Sequence, residues 1–124
     1  MKEPTNFFYY YKIANLCGED NLREKEILEN YALDLGICKK QLDNSIHNTY
    51  DLDESLTSNL KFLYELYISV SKRYEIDEEL NEILKKYCAK VGFFDSNIQE
   101  LSEILIVNAK KNTLFKDLLN SLRV

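Results

Sequence analysis

The carboxylates of this chain gather at two turns, and each turn directly precedes an amphipathic segment. The first turn supplies Asp20 and Glu24, and the second supplies Asp77 and Glu79. Hard cations such as Ca²⁺ and Mg²⁺ bind several oxygen ligands that converge on one point. These four residues are therefore our candidate ligands for a divalent cation. The alternative is that they stabilise helix N-termini, where a carboxylate contributes about 0.3–1 kcal/mol, and neither turn has the ligand order of an EF-hand.

A run of five aromatic residues, from Phe7 to Tyr11, opens the first apolar segment. Five consecutive side chains cannot all face one side of a helix. Some must reach a second surface, and tyrosine is favoured at interfaces because its ring is apolar and its hydroxyl tolerates water. Phe8, Tyr9 and Tyr10 are the candidates for a protein-binding surface. The alternative is a first helix that is buried on two sides within its own domain.

The residues that most often carry catalysis are few and scattered. His47, the single histidine, lies in a polar stretch, and its nearest cysteine in sequence is Cys38. No pair among Cys17, Cys38 and Cys88 has the spacing of a metal knuckle or a redox motif. Cys88 falls on an apolar stripe and is expected in the core, whereas Cys38 is expected to be the most exposed thiol. Without a catalytic constellation we expect a protein that is not an enzyme and needs no cofactor.

The periodicity of apolar residues predicts helices along the whole chain. Their expected ranges are about 5–17, 22–35, 39–48, 54–72, 78–91, 97–110 and 113–122. The expected N-terminal caps of the fourth, fifth and sixth helices are Asp53, Asp77, and Asp95 or Ser96. Glycines at 18, 36 and 92 are expected to end three helices in a left-handed turn. The final helix is expected to bury Leu114 and Leu118.

Two stretches of the chain are similar to each other. KEILENYALDLGI, at 25–37, is followed fifty-six residues later by NEILKKYCAKVGF, at 81–93, and five of the thirteen positions are identical. The pattern predicts an all-α fold, a single compact domain of about six or seven helices over residues 1–124. Its weak two-fold repeat has units at about 7–48 and 60–110. The alternative is that two ordinary amphipathic helices end in glycine by chance.

The first unit resembles the TerB-like family, the small all-helical domain of tellurite-resistance and stress-response clusters. The resemblance rests on CGEDNL at 17–22, an acidic turn that opens a helix, and on LGI at 35–37, which closes it. RYEID at 73–77 and VGF at 91–93 are similar to a second copy. The family has Asp where this chain has Cys17. The resemblance implies an interaction or scaffold module of a bacterial stress or membrane-associated complex, and it does not imply catalysis.

Composition excludes several classes of function. The net charge of −5 disfavours a nucleic-acid partner, because phosphate binding needs a basic face. The start MKEPTN has no apolar signal region, and no apolar run approaches the ~20 residues that span a bilayer. We therefore expect a cytoplasmic protein with reduced thiols.

Two functional hypotheses follow. The first is a non-enzymatic, TerB-like interaction or scaffold module of a bacterial stress or defence system, which recognises another protein through an aromatic-rich or acidic face. The second is a small acidic inhibitor or decoy, of a phage or immunity type, that occupies a basic site on a larger protein. The partner is another protein in both, and a homodimer is left open.

Overall fold

The chain folds as α-helices. The computed structural model describes residues 5–16, 22–50, 52–53 and 55–122, and within those ranges it holds seven helices and no strand. The helices are α1 (Thr5–Leu16), α2 (Leu22–Asp34), α3 (Lys39–Ser45), α4 (Leu56–Arg73), α5 (Glu78–Lys90), α6 (Asp95–Lys111) and α7 (Phe115–Leu122). The predicted all-α fold is confirmed. None of these helices combines the length and apolar character needed to cross a membrane.

Two compact units divide the chain, at residues 1–62 and 63–124. Helix α4 gives its first residues to the first unit and the remainder to the second. In the first unit α1 packs against α2 and α3, and in the second unit α5 packs against α6. The predicted repeat units fall one in each compact unit, apart from residues 60–62. That the whole chain forms a single domain stays a prediction.

The first unit is built around stacked aromatic rings. The ring of Phe7 lies 5.3 Å from that of Tyr31 and 5.8 Å from that of Tyr11, between centroids. From Tyr31 the stack continues to Phe62 at 5.7 Å, and from Phe62 to Tyr10 at 4.9 Å. All five rings are buried. Aromatic pairs at these distances contribute about 0.5–1.5 kcal/mol each beyond the area they bury, so the aromatic run of α1 is the core of this unit.

Polar bonds join the segment before α4 to α1. The side-chain amide of Asn6 donates to the carbonyl of Asp53 at 3.1 Å, and its oxygen accepts from the Asp53 amide at 3.0 Å. The ammonium of Lys12 donates to the carbonyl of Asn48 at 2.6 Å. The polar stretch at 47–55 is therefore bound to its own unit where the structure describes it.

The second unit has a mainly aliphatic core. Helix α5 buries Leu80, Ile83, Leu84, Tyr87 and Cys88, and α6 buries Ile98, Leu101, Ser102, Leu105 and Ala109. Helix α7 attaches through the buried Leu118, and the ring of Phe115 lies 6.3 Å from that of Tyr64. Leu114, which was predicted to be buried, is 66% exposed. The prediction is wrong because α7 begins after Leu114, whose carbonyl accepts the first helical hydrogen bonds, from Asp117 and Leu118.

Glycine ends α2 and α5 in the same way. Gly36 has φ +78° and Gly92 has φ +104°, a backbone region that residues with a Cβ rarely adopt. The amide of the next residue donates to the carbonyl five positions back, at 2.9 Å from Ile37 and 3.1 Å from Phe93. This is the Schellman arrangement, which satisfies carbonyls that the helix leaves without a partner. The two predicted glycine stops are confirmed, and the third, Gly18, lies outside the described residues.

Asn112 ends α6 without a glycine. Its φ is +56°, and the amide of Thr113 donates to the carbonyl of Asn108 at 3.0 Å, again five positions back. Asparagine is one of the few residues that tolerates the left-handed region. The hydroxyl of Tyr64 closes the turn, since it lies 2.7 Å from the carbonyl of Thr113 and 3.1 Å from that of Asn108.

The caps of the helices follow the sequence in part. Asp77 caps α5 as predicted, with its Oδ1 accepting from the amide of Leu80 at 2.9 Å. At α4 the prediction of Asp53 as the cap is wrong, because the helix begins at Leu56. Ser55 takes that place, and its hydroxyl accepts from the amide of Ser58 at 3.2 Å. Asp53 supports the cap from outside by accepting from the Ser55 amide at 3.0 Å.

Candidate functional site

The acidic candidates have separate roles where the structure describes them. Asp20 lies outside the described residues. Glu24 is only 4% exposed in the first turn of α2. Asp77 gives one carboxylate oxygen to the cap of α5, and Glu79 is exposed on that helix. Among the described residues no three His, Cys, Asp or Glu side chains are grouped to hold a metal ion. The cation hypothesis stays a prediction.

The aromatic candidates are mostly core residues. Phe8 is 8% exposed and Tyr10 is 3% exposed. Phe8 stacks on Tyr50 with centroids 5.0 Å apart. Tyr9 alone among the three candidates is half-buried, and its ring meets the edge of Tyr10 at 5.3 Å. In this structure Phe8 and Tyr10 therefore have little surface to present, and α1 is buried on more than one side, as the alternative prediction stated.

The histidine and the thiols lie where the sequence indicates. His47 and Cys38 are exposed, and Cys88 is fully buried; Cys17 lies outside the described residues. Cys38 is the N-cap of α3, and its amide donates to Oε1 of Gln41 at 2.9 Å. The predicted burial of Cys88 is confirmed, and Cys38 is the more exposed of the two described thiols.

A chain of hydrogen bonds runs through the core of the second unit. The hydroxyl of Tyr67 lies 3.3 Å from the sulfur of Cys88 and 2.8 Å from the hydroxyl of Ser102, which in turn donates to Oδ1 of Asn81 at 3.3 Å. Each hydroxyl has one proton. Because Ser102 donates to Asn81, Tyr67 donates to Ser102 and the thiol of Cys88 donates to Tyr67.

Burial keeps this chain of groups neutral. It raises the pKa of the Cys88 thiol and of the Tyr67 hydroxyl well above their ordinary values. A thiol acts as a nucleophile through its thiolate, which needs a lowered pKa and access to solvent. Cys88 has neither, so this network fixes the packing of α4, α5 and α6 and supplies no reactive group.

A groove runs along the surface between α5 and α6. Its volume is about 390 Å³, and its lining residues are Glu82, Lys85, Lys86, Ala89, Asp95, Ile98 and Gln99. The ammonium of Lys85 lies 3.4 Å from a carboxylate oxygen of Glu82. The groove therefore combines two acidic and two basic side chains with the buried Ile98.

Phe94 stands immediately before this groove, at the start of α6. It is the N-cap residue, with φ −74° and ψ 144°, and makes no side-chain cap hydrogen bond. At 76% it is the most exposed large apolar side chain in the part of the chain that the structure describes. An N-cap strongly favours Ser, Thr, Asp or Asn, so the side chain of Phe94 does not cap its helix and exposes an aromatic ring to water.

The sequence contained a signal for Phe94 that the predictions did not use. The predicted cap of α6 was Asp95 or Ser96, and this is wrong because the helix begins at Asp95. The turn at Gly36 shows where the next helix is capped after a glycine stop, since Cys38 stands two residues after Gly36 and caps α3. Counting two residues from Gly92 identifies Phe94 as the cap.

Comparison with known proteins gives no match: no family model, no curated protein and no solved structure is similar to this chain. The resemblance to TerB-like domains therefore stays a prediction.

Proposed function

We propose that this chain is a non-enzymatic protein-interaction module, and that it binds another protein through Phe94 and the groove between α5 and α6. The exposure of Phe94 is the observation that carries the proposal. The resemblance to TerB-like domains adds the setting, a bacterial stress or defence system. The buried, protonated thiol of Cys88 supports a binding role over a nucleophilic one.

A residue whose type is unfavourable at its position in a helix, and which gives the structure nothing in return, is a candidate for a functional role. A serine at position 94 would accept a hydrogen bond from the first turn of α6, and a phenylalanine cannot. Aromatic residues are enriched among the few that dominate binding at protein interfaces. The groove beside Phe94 offers Ile98 for apolar contact and four charged side chains for polar contact around it.

The substitution Phe94→Ser separates binding from stability. It supplies the missing cap, so we expect the free energy of unfolding to rise by about 1 kcal/mol while partner binding is lost. A structural role for Phe94 predicts the opposite, since removing a packed ring destabilises a protein. Urea unfolding measures the first quantity.

Binding itself is measured with a photo-crosslinking amino acid at position 94 in the host cells. The matched control carries the same amino acid at position 107, where Val107 is also exposed, about 18 Å along α6. We expect a discrete protein adduct from position 94 and none from position 107. No adduct from position 94, or equal adducts from both, would falsify the proposed function.

One observation favours the second hypothesis, an acidic inhibitor of a basic site. The side chains at the start of α5 form an exposed acidic run of Glu75, Asp77, Glu78, Glu79 and Glu82. Association through these charges is fast and weakens steeply with ionic strength. An adduct at position 94 whose yield is unchanged between low and high salt contradicts this candidate.

A further inference from the structure

We infer that the partner which fits the groove between α5 and α6 is a second copy of this chain, in a two-fold symmetric dimer. The inference rests on the proposed function, since it names the partner of the same surface. It is carried by the pattern of charge in the groove and by its position beside Phe94.

The groove is neutral in an acidic chain. Its charged lining is Glu82 and Asp95 against Lys85 and Lys86, whereas the whole chain has a net charge of −5. Two copies of an acidic protein repel each other over most of their surfaces. A neutral patch with an exposed aromatic side chain is where they can approach with least repulsion.

The mixed charge also selects among partners. A uniformly basic partner would meet the two lysines, and a uniformly acidic partner would meet Glu82 and Asp95, with a repulsive contact in each case. The best partner has acids and bases in a matching arrangement. A second copy provides that arrangement by symmetry, because in a two-fold interface each contact between two different residues occurs twice.

The two-fold axis that runs along the groove sets the contacts. It lays α5 of one copy over α6 of the other. This brings Lys86 on α5 of each copy over the helix that carries Asp95 in the other, while Glu82 keeps its pairing with Lys85 at 3.4 Å. Phe94 stands at the start of α6, so its exposed ring lies at one end of this contact.

Sedimentation of the purified full chain, from about 10 µM to 1 mM, tests the dimer, since a small interface gives a transient complex. We expect a reversible shift from monomer to dimer that Phe94→Ser removes. Lys86→Glu and Asp95→Lys each set like charges against each other, so either variant alone should associate at least about tenfold more weakly. Lys116→Glu, the same charge change on exposed α7, is the matched control and should dimerise as the native chain does.

Mixing the two variants gives the decisive result. Lys86→Glu and Asp95→Lys together restore both opposite-charge contacts, so the equimolar mixture should form a heterodimer. A chain that stays monomeric to about 1 mM, or a mixture that stays as monomeric as its components, overturns the inference.

Photo-crosslinking at position 94 distinguishes this failure from failure of the proposed function. An adduct at twice the 14.6 kDa mass of the chain supports the dimer. An adduct of another mass from a monomeric chain overturns the dimer and leaves the proposed function standing. The absence of any adduct overturns both.

Discussion

The two helices that end at a glycine, α2 and α5, have the same length and the same kind of turn but different surroundings. Both α2 and α5 have 13 residues, both end at a glycine with positive φ, and the next helix starts three residues after that glycine. Yet Cys38 at the N-cap of α3 has Gln41 to satisfy its amide, whereas Phe94 at the N-cap of α6 points an aromatic ring into solvent.

The cores around the two helices also differ. The first unit stacks aromatic rings on Tyr31 of α2, and the second unit packs aliphatic residues and a hydrogen-bonded network around Cys88 of α5. This difference shows that a short helix with a glycine stop does not determine which side chains form the core around it. The stop is a property of the backbone, while the core depends on side chains supplied by other helices.

The largest expected effect is in the aromatic core. Phe7→Ala removes a buried ring that contacts Tyr31 and Tyr11, and we expect it to cost about 3–5 kcal/mol. Leu84→Ala in the second unit should cost about 2–5 kcal/mol, without the loss of ring contacts. Urea unfolding followed by circular dichroism measures both. Tyr9→Ala is the control on the same helix, because Tyr9 is half-buried; a cost equal to that of Phe7→Ala would contradict the aromatic core.

Substituting the glycines that end α2 and α5 should lower the free energy of unfolding by smaller and more similar amounts. No atom lies within 4 Å of a Cβ built on Gly36 or Gly92, so alanine there strains only the backbone. We expect each substitution to cost about 1–2 kcal/mol. The larger loss is expected at Gly92, whose φ of +104° is further from the left-handed helical value near +57°. Asn112→Gly is the control, since it relieves φ at a turn of the same kind. A Gly92→Ala protein as stable as the native chain would show that the turn can reshape.

Two buried groups of the second unit, Cys88 and Tyr67, make the stability of the fold depend on alkaline pH. Unfolded Cys and Tyr titrate near 9.0 and 10.0, and burial raises the pKa of Cys88 and Tyr67 above these values. The folded state then keeps protons that the unfolded state releases. Stability is therefore fully present below about pH 9 and falls as pH rises further, by at most about 1.4 kcal/mol per pH unit for each group.

Unfolding by urea between pH 8 and 10 measures this slope. Cys88→Ala should flatten it above pH 9, because the substitution removes the buried thiol that retains its proton in the folded state. Cys38→Ala, which removes the exposed thiol, is the matched reference variant. Equal slopes in the two variants would mean that the buried thiol does not contribute to the alkaline loss.

The sequence by itself determined the helices, the glycine stops and the burial of Cys88. These depend on neighbours within about one turn: apolar spacing selects the helical period, and a residue without a Cβ accepts positive φ at little cost. The start of α6 was predicted wrongly because Asp95 and Ser96 are residue types favoured at N-caps, whereas the observed cap is Phe94.

Only the tertiary structure decided which aromatic residues are buried and where a surface forms. Phe8 and Phe94 are the same residue type, yet one stacks on Tyr50 and the other is exposed. The groove joins residues of α5 with residues of α6. Burial of a residue depends on which side chains from distant parts of the sequence pack against it, and sequence spacing describes only its neighbours along the chain. The sequence therefore determined the helices and their glycine stops, and packing between helices decided where the candidate site lies.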